Sequence, residues 1–232
     1  MNSFLFKANT VGVVSAGRET APVFRIRRQA GYSLVELIVV IAIIAIMAGF
    51  VIIGIRTILP GLRANQAMNQ VVNSMREARM LAMSQNRNVR FQFTANNRIE
   101  VVLQNEGCTD LASTACWDVV RDATRNPATT LERGHQFIRN GLTDTPDGLG
   151  VGAITGSIAF GGTSFSPPNT RRFVFTEDGF LTEFPNLADP INGTIFIGLP
   201  NGGNNLTRAV TILGTTGRIR AWRWRNGWQI SR

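Results

Sequence analysis

Residues 37–55, LIVVIAIIAIMAGFVIIGI, run for 19 positions without a charged or strongly polar side chain, bounded by Glu36 and Arg56. As a helix rising about 1.5 Å per residue, the run spans a bilayer core of about 30 Å. Pro60-Gly61 then predicts a kink or break, because proline removes a helical donor and glycine loosens the turn. Beyond it, apolar residues recur at helical spacing: Met68, Val71, Val72, Met75, Ala78, Leu81 and Ala82, with Asn65, Asn69, Asn73, Arg76 and Arg79 mostly opposite. The pattern predicts an amphipathic helix lying on a sheet.

After Asn86 the period changes to two. VRFQFT, from Val89, sets Val89, Phe91 and Phe93 against polar neighbours, and Ala95-Asn96-Asn97 leads into RIEVVL as a hairpin. Further strands are expected at WDVV from Trp117, HQFI from His135, SIAF from Ser157, RRFVF from Arg171, TIFIGL from Thr194 and RAVTIL from Arg208. Residues 141–170, with seven glycines, and residues 200–205 read as loops. One long helix followed by many short strands predicts an α+β domain with antiparallel sheet.

Charge adds direction. Residues 1–31 contribute +4 and residues 208–232 contribute +6 of a net +9, so the remainder is near neutral. Arg25, Arg27 and Arg28 precede the apolar run, and the positive-inside rule places residues 1–31 in the cytoplasm and everything after Arg56 outside. Cys108 and Cys116 then lie where oxidation is permitted and are expected to form a disulfide, closing a loop of seven intervening residues. With His135 as the sole histidine, these sulfurs make a poor metal-ligand set.

The small residue Gly31 comes before the apolar run, the reverse of a secretory signal peptide. RRQAG followed by YSLVELIVVIAIIAI resembles the processing signal of type IV pilins and pseudopilins. The resemblance implies that a prepilin peptidase cuts after Gly31, methylates Tyr32 as the new N-terminus and leaves the helix attached. It implies domains of 1–31 (leader), 32–59 (transmembrane and assembly helix) and 60–232 (extracytoplasmic globular domain, with a basic C-terminal strip at 208–232). Glu36, a carboxylate beside hydrocarbon, calls for a partner; in the family that partner is the α-amine of a neighbouring subunit. FTEDG, from Phe175, and GRIR, from Gly217, are similar to motifs of the GspH/FimT branch of minor pilins and pseudopilins. The fold implied is pilin-like, and the location is the inner membrane, single-pass, followed by a pilus or pseudopilus.

No phosphate loop, metal motif or nucleophile elbow is evident, and neither enzymatic activity nor a cofactor is expected. A scaffold role would need only the N-terminal helix. The end GRIRAWRWRNGW, from Gly217, argues for binding as well. In a strand, Arg218, Arg220, Trp222 and Trp224 share one face, and Ile219, Ala221, Arg223 and Arg225 the other. Guanidinium forks take phosphate, and indoles stack on bases for about 1–3 kcal/mol each. DNA, for uptake in natural transformation as the resemblance to the FimT branch implies, is the expected partner through Arg218, Arg220, Arg223, Arg225, Trp222 and Trp224. Lipopolysaccharide or acidic lipid would satisfy the same charges. The bland alternative is a last strand with Trp222 or Trp224 in the core. The other function open at this point is that of a GspH-like pseudopilin of type II secretion.

Overall fold

The computed structural model describes residues 31–119, 128–148 and 154–231. The leader, with Arg25, Arg27 and Arg28, lies outside the described residues apart from Gly31.

Helix α1 spans Leu34–Gln85, 52 residues with Pro60 inside it. The interruption expected at Pro60-Gly61 does not end the helix. Proline deletes one backbone donor, and the bonds on either side carry the helix past it. The chain divides into two compact units between Ala48 and Gly49. In the first, every side chain from Tyr32 to Ala48 is exposed. Among the described residues no helix is long and apolar enough to cross a membrane; the described side chains of the apolar run stop at Phe50, and those of 51–57 lie outside them.

In the second unit, the expected stripe is buried. Met68, Val71, Val72, Met75, Ala78 and Ala82 sit in one cluster with residues of two antiparallel sheets, and Leu81 packs partly buried against it. The first sheet contains β1 (Val89–Ala95), β2 (Arg98–Gln104), β3 (Trp117–Val119), β4 (Ala128–Thr130), β7 (Phe173–Phe175) and β8 (Leu181–Glu183), in the order β3-β2-β1-β7-β8 with β4 also on β2. The second contains β5 (Ile158–Phe160), β6 (Thr163–Phe165), β9 (Gly193–Ile197), β10 (Arg208–Leu213), β11 (Arg218–Trp224) and β12 (Trp228–Ile230), in the order β12-β11-β10-β9-β5-β6. Phe91, Phe93, Phe160 and Phe173 tie the two sheets together, with the rings of Phe160 and Phe173 4.2 Å apart. Each such contact adds about 0.5–1.5 kcal/mol beyond area burial.

Two expectations are corrected. Residues 141–170 are not all loop: β5 and β6 form a hairpin turning on Gly161-Gly162, whose φ values of 55° and 89° suit the two-residue turn. Glycine there marks a tight connection between strands. HQFI forms no strand but a single bridge, Gln136 to Gly198; His135 is buried with neither ring nitrogen hydrogen-bonded, and desolvation holds its pKa below the ordinary histidine value.

The outer face of the first sheet is covered as well. Cys108 and Cys116 are disulfide-bonded, and Cys116 packs with Val102, Trp117 and Val174. Trp117 Nε1 donates to the Leu111 carbonyl at 3.0 Å, and the Arg90 guanidinium lies 4.6 Å from the Trp117 ring. Burial, with Arg172 nearby, pushes the Arg90 pKa down to about 10. The disulfide therefore pins a lid over a buried cation. Cys108→Ser with Cys116→Ser is expected to cost about 2–3 kcal/mol, read as a lower denaturation midpoint. An unchanged midpoint would show that the loop holds itself without the bond.

Candidate anion-binding surface and assembly end

Strands β10 and β11 pair in the register Arg208↔Arg223, Ala209↔Trp222, Val210↔Ala221 and Thr211↔Arg220. Their turn closes on Gly217, with φ 60°, and a Cβ there would overlap Arg79 of α1 and the Gly179 carbonyl. Arg79 Nε donates to that carbonyl at 3.2 Å. The glycines of FTEDG and GRIR thus meet over one arginine of the helix, which fixes where the basic hairpin leaves it.

The period-two expectation for β11 holds, but the two faces meet different surroundings. Ile219 and Ala221 pack partly buried against the main core. On the other face, Trp222 is 7% exposed in a second cluster with Ile154, Phe196 and Ala209, and its Nε1 donates to Thr211 Oγ1 at 2.9 Å. Trp222 therefore offers no stacking plane, and its place among the DNA-contacting residues is withdrawn. Trp224 is half-buried, edge-on to Trp228 at 5.2 Å. Arg220 Nη1 lies 2.7 Å from Asp147 Oδ1, while Asp147 Oδ2 accepts from Thr211 Oγ1. Arg218 is exposed.

Arg223 and Arg225 belong elsewhere. With Arg208 they line a groove of about 530 Å³ whose other wall is Ile58, Leu62 and Asn65 of α1. Arg208, only 6% exposed, donates from Nε to Asn65 Oδ1 at 2.8 Å and from Nη1 to the carbonyls of Asn205 and Thr207. Desolvation, then repulsion from Arg223 and Arg225, lowers its pKa. Arg208 was missed as a site residue because an arginine opening an apolar strand reads as an edge residue; the acid-free run 208–232 was the available signal. The hairpin thus carries two groups of cations, not one strip.

At the other end of the chain, Gly31, Tyr32 and Ser33 precede the helix, and the Ser33 carbonyl accepts the Leu37 N–H at 3.2 Å. Glu36 is exposed in the first turn, where a carboxylate complements the helix dipole. Among the described residues no cluster of His, Cys, Asp and Glu could hold a metal ion.

The family profile for the prokaryotic N-terminal methylation motif matches residues 26–52. No curated protein matches the sequence. Two solved structures of the minor pseudopilin EpsH from the type 2 secretion system of Vibrio cholerae align at 12% and 13% identity. Each covers 69% of this chain and 97% or 94% of its own, with a TM-score of 0.43. The methylation motif, followed by a long helix packed on antiparallel sheets, defines a type IV pilin-like chain.

Proposed function

We propose that the protein is a minor pilin or pseudopilin. It is processed by a prepilin peptidase after Gly31, held in the inner membrane by residues 32–59 with the domain outside, and assembled with other pilins through the same helix. The methylation motif at 26–52 carries this reading. Glu36, exposed and with an apolar run following it, is placed to meet the methylated amine of Tyr32 on a neighbouring subunit.

The finer reading is a FimT-like minor pilin whose arginine-bearing end binds DNA without sequence preference, for uptake in natural transformation. It is supported by the acid-free composition of 208–232 and by the exposure of Arg218, Arg225 and half of Trp224. The alternative, a GspH-like pseudopilin of type II secretion, draws support from the buried Trp222 and the paired Arg220, which leave fewer groups free for a ligand.

A soluble fragment, residues 62–232, decides between them. For about three phosphates engaged, log K for DNA of unrelated sequences should fall with log salt at a slope near −3. Replacing Arg218, Arg220, Arg223 and Arg225 with glutamine should remove most of the affinity. If that variant binds DNA as well as the parent at low salt, the DNA reading fails and the scaffold reading stands.

A further inference from the structure

Three guanidinium groups converge on the groove beside α1, and no carboxylate lines it. Arg208 is more than nine-tenths buried, and each hydrogen bond it makes goes to a neutral oxygen. The Arg223 Nε is buried without a hydrogen-bond partner. Like charges packed together and partly desolvated are unfavourable by themselves, and an orphaned charged donor is costlier still. An anion in the groove would answer both.

The remaining wall narrows the class of anion. Ile58 and Leu62 are 62% and 57% exposed aliphatic side chains on it, and Trp224 lines its hairpin side. In sequence, Ile58 stands three residues after the end of the apolar run at Ile55, less than one helical turn. Arginine, indole and aliphatic groups at that depth are what a head-group region meets. Free phosphate has no use for the aliphatic wall, and a nucleic-acid strand would find only one indole beside it.

We infer that the groove formed by Arg208, Arg223 and Arg225 with Ile58 and Leu62 binds the phosphate head group of an anionic phospholipid of the outer leaflet while the subunit is held in the membrane. The inference rests on the anchoring proposed above and not on the DNA reading. Arg208, held by Asn65, forms the preset floor of the site; Arg223 and Arg225 close on the phosphate oxygens. Arg218 and Arg220 are not part of it.

The test uses the full processed chain in neutral detergent, with phosphatidylglycerol and phosphatidylcholine of identical acyl chains added in competition and bound lipid read by native mass spectrometry. At about fivefold per arginine engaged, the parent should retain phosphatidylglycerol over phosphatidylcholine by about tenfold or more. Arg223→Gln with Arg225→Gln should bring the two lipids to parity without shifting the unfolding midpoint, whereas Arg218→Gln with Arg220→Gln should keep the preference. Equal retention by the parent overturns the inference. So does equal loss in both double variants, which would indicate diffuse charge. Displacement of the lipid by millimolar inorganic phosphate would make the groove a free-anion site, and displacement by a short oligonucleotide would give it to nucleic acid; either outcome overturns the lipid assignment. Carbonate extraction of membranes tests the anchor separately: release of a chain that still contains residues 32–59 defeats the anchoring reading, whatever the lipid result.

Discussion

Trp222→Ala lowers the stability of the 62–232 fragment by about 3–5 kcal/mol, the usual cost of deleting a buried aromatic side chain. The indole fills the cluster with Ile154, Phe196 and Ala209, and its N–H satisfies Thr211, which also serves Asp147. Trp224→Ala costs well under half as much, because its half-exposed ring meets Trp228 only edge-on. Urea unfolding of the two variants measures the difference directly. Equal losses would mean that the outer face of β11 is not covered as described. DNA affinity gives a second axis: if Trp224 stacks on a base, its alanine variant loses affinity with little change in stability.

Gly31→Val abolishes processing. Co-expressed with a prepilin peptidase, the parent yields a mature chain beginning at methylated Tyr32, and the variant keeps its leader, both read by intact-mass measurement. The experiment is clean because a Cβ on Gly31 meets nothing within 4 Å and the helix begins only at Leu34. Loss of cleavage therefore reports recognition by the peptidase and not damage to this fold. A mature N-terminus found beyond Arg56 would remove the basis for the anchor and for assembly through the helix.

Much of the architecture is legible in local pattern. The stripe from Met68 to Ala82 and the alternation of Val89, Phe91 and Phe93 each record which side of an element faces the core, and both sides are as expected. Helical and strand periodicities are fixed by backbone geometry, so a few residues suffice to show them. Short strands are less legible. β8 and β12, three residues each, are too short to display a period and exist because a neighbour accepts their hydrogen bonds.

The sequence by itself determined the processing signal, the apolar run, the helix-then-strands order, the Cys108–Cys116 pair and the concentration of arginine at the C-terminus. These are properties of contiguous residues or of a count. Only the tertiary structure decided what each arginine and tryptophan of that end can do. Alternation places Trp222 on an outer face but says nothing of what lies over that face; Ile154, from a segment far away in sequence, buries it. Arg220 is matched to Asp147 and Arg208 to Asn65 across separations of 73 and 143 residues. Burial and ion pairing depend on which distant segments come within a few ångströms. The hairpin turn, seated through Gly217 on Arg79, fixes that proximity and so divides the basic end into a paired outer group and a groove against the helix.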